Sequence, residues 1–135
     1  MGSSPATILL GEDNPADVYL IRQALQENGV EYHLEVASHG GEMIAALTKP
    51  REQPPDLIIL DLNLPRYDGL EVLKTVRDNS ALEGIPVVIL TSSDSPKDRV
   101  AASAFGADCY IRKPSKLDEF MAIGKTLHSL LTTNL

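Results

Sequence analysis

Four consecutive aliphatic residues, 57–60, run directly into Asp61, and no other stretch constrains the fold of this chain as strongly. An apolar run without alternation is typical of a strand that is covered on both faces, as in the middle of a parallel sheet. Open α/β folds place their functional residues at the carboxyl edge of such a sheet. Because Asp61 directly follows the strand, we predict that it lies at this edge and is a functional carboxylate.

Strand-like and helix-like segments alternate along the rest of the chain, which predicts a parallel sheet with right-handed crossovers. The predicted strands are 6–10, 33–37, 57–60, 85–90 and 108–112, and the predicted helices are 15–28, 40–49, 69–79, 96–105 and 117–131. The second strand alternates apolar and polar residues, so we place it at an edge. We therefore predict one α/β domain over residues 1–135, with residues 1–5 frayed. Its core is a doubly wound, flavodoxin-like five-stranded parallel sheet in the order 2-1-3-4-5.

The composition limits the partners of this domain. A net charge of −7 lacks the basic footprint that contacts with nucleic-acid phosphates require. No apolar run approaches the roughly 18 residues that span a bilayer, and no signal peptide opens the sequence. Cys109 is the single cysteine of the sequence, which excludes a disulfide within the chain. We therefore expect a cytoplasmic domain that contacts neither nucleic acid nor a membrane.

Polar side chains follow four of the predicted strands, and the carboxyl ends of these strands face one crevice. They are Glu12, Asp13, Asp61, Thr91 and Lys113. Two like charges about 5 Å apart repel by roughly 3 kcal/mol at an effective dielectric constant of about 20, so such a carboxylate cluster favours a bound cation. Oxygen ligands select a hard ion, and a partly hydrated Mg²⁺ (or Mn²⁺) suits phosphoryl chemistry.

Phosphoryl transfer assigns a role to each of these side chains. Asp61 would attack a phosphoryl group and become an aspartyl phosphate. The Lys113 ammonium would contact a phosphate oxygen, and the Thr91 hydroxyl would be a neutral donor. The predicted metal ligands are Asp13, Asp61, the backbone carbonyl of Asn63 and, through water, Glu12.

These motifs, in this order and spacing, resemble the receiver domain of two-component response regulators. The matching features are Glu12-Asp13, Asp61, Pro65, Asp68-Gly69, Thr91, and Tyr110 before Lys113-Pro114. The resemblance covers about residues 7–131. Segments 11–17 and 61–66 are most similar to single-domain regulators that are paired with phytochrome-type histidine kinases. Gly11 departs from the family pattern, which usually has an aliphatic residue there.

The resemblance implies a fold like that of the chemotaxis response regulator and a sensor histidine kinase, of the phytochrome type, as phosphoryl donor. It implies a signalling domain without an output domain, which catalyses only its own phosphorylation and dephosphorylation and is otherwise not an enzyme. It also implies that Thr91 and Tyr110 form the switch and that the Lys113–Pro114 peptide bond is cis. Strand five and the last helix, with Tyr110, Ile123 and Leu130, form a candidate homodimer surface.

Other interpretations of the same residues remain open. A small FMN-binding, flavodoxin-like carrier shares the fold, and the hydroxyl-rich loop 91–95 could cradle a phosphate. Flavodoxins resemble this fold with a phosphate loop after strand one, however, where this chain has an acidic pair. A phosphate hydrolase would use Asp61 with a second aspartate two positions later, where this chain has Asn63. In the simplest alternative, Glu12 and Asp13 are a solvated pair at a helix entry.

Overall fold

The structure, a computed structural model, describes residues 4–133. Its strands are β1 (Ala6–Gly11), β2 (Tyr32–Ala37), β3 (Leu57–Leu60), β4 (Val87–Thr91) and β5 (Cys109–Arg112). Its helices are α1 (Pro15–Glu27), α2 (Gly40–Thr48), α3 (Gly69–Asp78), α4 (Pro96–Ala104) and α5 (Leu117–Thr133). All neighbouring strands are parallel, in the order β2-β1-β3-β4-β5. The predicted fold class and strand order are confirmed.

The ends of the elements differ from prediction at a few places. Ser4 and Pro5 have no regular secondary structure, and the rest of the segment predicted to be frayed lies outside the described residues. The fourth strand begins two residues later than predicted, because the Ile85 N–H closes a turn onto the Leu82 carbonyl instead of joining the sheet. A short 3-10 helix, Ser80–Leu82, precedes this turn and was not predicted.

The central strand is covered on both faces, as its uninterrupted apolar sequence predicts. All four residues of β3 are fully buried. Ile58 and Leu60 belong to the core that α2 and α3 cover, whereas Leu57 and Ile59 belong to the core that α1 and α5 cover. Full burial of each such side chain stabilises the fold by about 1.5–3 kcal/mol. β3 is therefore fixed in register, and the residue that follows it is held at the sheet edge.

The buried face of α5 differs from the prediction. Phe120, Ile123 and Leu127 are buried at helical spacing against the α1 side of the core. Ile123 was expected on the candidate dimer surface, but it lies in this buried stripe and cannot contribute to such a surface. Leu117 was expected in the core and is 64% exposed. Its side chain lies in the first turn of α5, at the rim of a groove beside the end of α1, instead of over the sheet.

Gly11, the departure from the family pattern, has a packing role. A Cβ atom at this position would lie 3.0 Å from Cδ1 of Leu64 and 3.1 Å from Cδ1 of Leu60. Leu64 belongs to the loop after β3 and is buried. The glycine therefore makes room for this loop to fold back over the end of β1.

Among residues 4–133, no helix combines the length and the apolar character that crossing a bilayer requires.

Candidate functional site

The carboxyl ends of four strands bring the predicted side chains into one crevice. Glu12 and Asp13 directly follow β1, Asp61 follows β3, Thr91 ends β4 and Lys113 follows β5. The parallel pairing of β1, β3, β4 and β5 brings these strand ends to neighbouring positions along one edge. Residues that are up to 101 positions apart therefore become neighbours, from Glu12 to Lys113.

Asp61 is held on both of its carboxylate oxygens. Its Oδ1 accepts a hydrogen bond from the Asn63 backbone N–H at 2.9 Å. Its Oδ2 accepts one from Lys113 Nζ, also at 2.9 Å. The backbone N–H of Asp61 donates to the Gly11 carbonyl at 3.0 Å, which continues the sheet pairing past the end of β3. Only 4% of Asp61 is exposed, so the carboxylate has a fixed orientation at the floor of the crevice.

The side-chain ammonium of Lys113 contacts several carboxylates of the site at once. Its backbone N–H donates to the Thr91 carbonyl at 2.8 Å, which fixes the start of the side chain. Its Nζ lies 2.7 Å from Glu12 Oε1 and 2.9 Å from Asp61 Oδ2. A third carboxylate, that of Asp17, lies 2.7 Å from Nζ through its Oδ2. One ammonium thus donates to three carboxylates.

Asp17 is a residue that the sequence analysis missed. It lies in the first turn of α1, four positions after Asp13. Asp13 precedes the helix, which is capped by Asn14 and begins at Pro15, so helical spacing does not relate the two residues. The available signal was an acidic residue in the first turn of the helix that follows the acidic pair. The sequence alone does not show that the side chain turns toward Lys113.

Burial and charge pull the pKa values of this cluster in opposite directions. Burial alone would lower the pKa of Lys113, but the hydrogen bonds to Asp17, Asp61 and Glu12 together raise its pKa above the ordinary value. Burial raises the pKa of Glu12, and its hydrogen bonds from Lys113 and from the Asn14 N–H only partly offset this rise. Three carboxylates thus surround a single ammonium.

Three carboxylates are arranged to share one cation. Glu12, Asp13 and Asp61 can each offer one oxygen atom, and these three oxygens lie within 4.8 Å of one another. Asp13 is exposed whereas Glu12 and Asp61 are buried, so the group opens to solvent on one side. An oxygen-only donor set that keeps access to water fits a hard, partly hydrated divalent cation. Mg²⁺ or Mn²⁺ is the cofactor that this site accommodates.

A hydroxyl and an aromatic ring adjoin the carboxylates. Thr91 Oγ1 is fully buried and accepts a hydrogen bond from Asn63 Nδ2 at 3.2 Å. It also accepts one from the Ser93 backbone N–H at 3.4 Å. The Tyr110 hydroxyl donates to the Ser93 carbonyl at 3.0 Å, and the Arg99 guanidinium lies 4.5 Å from the centre of the Tyr110 ring. Ser93 therefore connects Thr91 to Tyr110, and the link through the Asn63 side chain was not predicted.

The Lys113–Pro114 peptide bond corrects one expectation. It was expected to be cis, but the described residues contain no cis peptide bond, so it is trans. Trans is the lower-energy form of a peptide bond before proline, by about 0.5–1 kcal/mol. From the trans bond, Lys113 Nζ already reaches Asp61.

Comparison with known proteins agrees with this geometry. The family model of the response regulator receiver domain matches residues 8–124. The chain is 41% identical over 119 residues to the transcriptional regulatory protein TrcR of Mycobacterium tuberculosis, covering 88% of this chain and 44% of TrcR. It is 35% identical over 129 residues to the response regulator Rcp1 of Synechocystis sp., covering 93% of this chain and 88% of Rcp1. The chain thus spans less than half the length of TrcR.

Two solved structures have the same fold. The phosphorylated cyanobacterial phytochrome response regulator RcpA superposes with a TM-score of 0.87 at 34% identity, covering 98% of this chain and 97% of RcpA. The Mn²⁺-bound form of Rcp1 superposes with a TM-score of 0.83 at 35% identity, covering 93% of each chain. These matches favour a receiver over the FMN carrier. With its family model, its fold and its acidic crevice in agreement, the chain belongs to the family of response regulator receiver domains.

Proposed function

We propose that this chain is a phosphorylation-switched signalling domain whose phosphoryl acceptor is Asp61. A carboxylate oxygen of Asp61 attacks the phosphorus of a phosphohistidine on a sensor histidine kinase. The new O–P bond forms as the P–N bond breaks, and the departing imidazole takes a proton from solvent. The observation that carries this proposal is the position of Asp61, 2.9 Å from Lys113 Nζ and within one group of three metal-binding carboxylates.

Each neighbouring side chain has a place in this reaction. A bound Mg²⁺ would supply positive charge to the phosphoryl oxygens. Glu12, Asp13 and Asp61 would hold it, with the Asn63 backbone carbonyl as a further ligand. The Lys113 ammonium exchanges its bond with Asp61 Oδ2 for one with a phosphoryl oxygen. The Thr91 hydroxyl donates to another phosphoryl oxygen, since its hydrogen can rotate to suit its acceptor.

Phosphorylation of Asp61 would then change the protein surface through movements of Thr91 and Tyr110. If the Thr91 side chain rotates so that its oxygen also moves toward the phosphoryl group, the oxygen gives up the hydrogen bond that it now accepts from the Ser93 N–H. Because the Tyr110 hydroxyl is bonded to the same residue, movement of Ser93 releases the ring to turn inward. NMR signals of the Tyr110 ring should therefore shift on phosphorylation, and signals that stay unchanged would refute this switch.

The kinase partner that we propose is of the phytochrome type. RcpA is a cyanobacterial phytochrome response regulator, and a bacteriophytochrome response regulator, AtBRR, also matches at 35% identity. We place the domain in the cytoplasm, where such a kinase would meet it. Phosphotransfer profiling against the sensor kinases of the source cell tests this pairing, and faster transfer from a kinase of another type would overturn it.

A homodimer through β5 and α5 is a further part of the proposal. The β5 strand is an edge of the sheet; Tyr110 lies in this strand, Leu130 lies in α5, and both are half-buried. Ile123 has no part in this surface because it is buried in the core. Sedimentation of the phosphorylated and unphosphorylated protein would decide the matter, since a monomer in both states excludes the dimer.

The Asp61→Asn variant tests the acceptor directly. With phosphoramidate and Mg²⁺, the wild-type chain should acquire one hydroxylamine-sensitive phosphoryl group, because an acyl phosphate is cleaved by that reagent. The variant should acquire none, since an amide is not a nucleophile of this kind. Asp78→Asn, an exposed change at the end of α3, is the matched control and should be labelled like wild type. Hydroxylamine-sensitive labelling that persists in Asp61→Asn would assign the acceptor to another residue.

Mg²⁺ should stabilise the folded chain, because the carboxylates that hold it come together only on folding. At ten times its dissociation constant, the ion should raise the free energy of unfolding by about 1.4 kcal/mol. Urea unfolding at stepped Mg²⁺ concentrations measures this shift. Asp13→Asn removes the exposed member of the carboxylate group and should move the effect to higher Mg²⁺ concentration. An equal Mg²⁺ dependence in both proteins would place the ion elsewhere.

A further inference from the structure

Asp17 is rigidly placed at the rim of the crevice. Asn14 caps α1 by accepting a hydrogen bond from the Ala16 N–H at 2.9 Å, and Pro15 is the first residue of the helix. This start fixes the direction of the first turn, in which Asp17 lies. The Asp17 side chain is 17% exposed, and its Oδ2 lies 2.7 Å from Lys113 Nζ. The contact joins residues 96 positions apart in the sequence.

The three carboxylates around Lys113 differ in what else they can bind. Glu12 and Asp61 belong to the group of three that can share a cation, and Asp61 is also the proposed phosphoryl acceptor. Asp17 belongs to neither role. Of the three carboxylates that the described residues place on this ammonium, it is therefore the one whose bond to Lys113 does not compete with a metal ion or a phosphoryl group.

We propose that Asp17 is a positioning residue that holds the Lys113 ammonium over Asp61 throughout phosphoryl transfer. The inference rests on the proposed role of Asp61 as acceptor. An ammonium carries three protons, so the proton now given to Asp61 can turn to a phosphoryl oxygen while the Asp17 bond keeps Nζ in place. Without that bond, a lysine side chain is a flexible point charge with many competing rotamers. A merely structural Asp17 would instead act on the start of α1 as a first-turn acid.

The rate of phosphorylation by phosphoramidate at saturating Mg²⁺ separates these two roles. Asp17→Asn should lower the rate about tenfold, the loss expected when one charge-assisted hydrogen bond no longer holds the ammonium. Asp17→Glu keeps the charge and should recover most of the rate. Asp118→Asn removes an exposed first-turn acid from α5 and is the matched control, which should keep the wild-type rate. In a Lys113→Ala background, Asp17→Asn should change the rate by no more than about twofold, because its effect passes through the missing ammonium.

A second measurement does not need phosphorylation at all. Ammonium groups held by hydrogen bonds exchange their protons slowly, so the Lys113 Nζ signal should be visible in a ¹H–¹⁵N spectrum of the Mg²⁺-loaded wild type. Lys113→Arg identifies that signal by its absence. In Asp17→Asn the signal should broaden beyond detection, and in Asp118→Asn it should remain.

Each outcome of the two measurements is decisive. A wild-type rate in Asp17→Asn, an equal loss in the Lys113→Ala background, or an unchanged Lys113 signal would overturn the role of Asp17. A wild-type chain that takes no phosphoryl group refutes the acceptor role of Asp61 instead, and the ammonium signal still decides whether Asp17 holds Lys113.

Discussion

Lys113→Ala should lose both function and stability. Removal of one preorganised charge from a phosphoryl-transfer site should slow the phosphorylation of Asp61 by about 100-fold or more. Without Mg²⁺, the variant should also unfold about 3 kcal/mol more easily, because the buried carboxylates of Glu12 and Asp61 lose their shared cationic partner. The geometry supports the large value: the Lys113 side chain is 13% exposed and those of Glu12 and Asp61 are 1% and 5% exposed.

Mg²⁺ should separate the two losses. A divalent cation replaces the missing positive charge among the carboxylates, so it should restore most of the stability of Lys113→Ala. It cannot take the place of the ammonium on the phosphoryl oxygen, so the rate should stay low. Urea unfolding with chelator and with Mg²⁺ measures the first effect, and labelling by phosphoramidate measures the second. Lys125→Ala, at an exposed position of α5, is the control and should show neither change.

The pH dependence of this stability difference follows from the direction of one pKa shift. The pKa of Lys113 is raised in the folded state, so its stabilising contribution is fully present below the ordinary lysine pKa. It is lost only as the pH rises above that value toward the folded pKa. The difference between wild type and Lys113→Ala should therefore hold from about pH 7 to about pH 9. A Mg²⁺-free variant as stable as wild type over this range would mean that Lys113 does not stabilise the fold through the buried carboxylates.

The sequence was informative wherever the position of the backbone alone determines whether a residue lies at the carboxyl edge of the sheet. An apolar run such as 57–60 has one low-energy place in an α/β domain, the middle of the sheet, and that place fixes where Asp61 lies. The same reasoning located Lys113 and Glu12, because each directly follows a strand. Their positions required no knowledge of side-chain direction, only of the edge at which each strand ends.

Predictions failed where the direction of a side chain determines which residues it contacts. Asp17 and the Asn63 amide reach into the crevice through rotamers that local sequence does not determine. Ile123 and Leu117 were assigned to the wrong faces of α5, since the phase of a helix on its neighbour depends on tertiary packing. That packing depends in turn on a glycine whose importance the sequence pattern did not reveal.

Gly124→Ala should be strongly destabilising, although alanine is the better helix former. A Cβ atom at Gly124 would lie 2.1 Å from the Ala24 carbonyl oxygen and 2.4 Å from Asn28 Nδ2. That amide group joins α1 to α5, donating to the Ala24 carbonyl at 2.8 Å and to the Met121 carbonyl at 3.1 Å. The added methyl group must therefore separate two helix backbones, and a backbone carbonyl cannot move aside as a flexible side chain can.

The sign of the stability change is the test of this close approach. In an open helix position, Gly→Ala would stabilise the chain by about 1 kcal/mol. Here, overpacking and the loss of the Asn28 bonds should outweigh that gain and lower the free energy of unfolding by about 3 kcal/mol. Ala122→Gly, at an exposed position of the same helix, measures the propensity term alone and should cost about 1 kcal/mol. A Gly124→Ala variant as stable as wild type in urea unfolding would mean that α1 and α5 can separate at this crossing without cost, and would contradict the close approach.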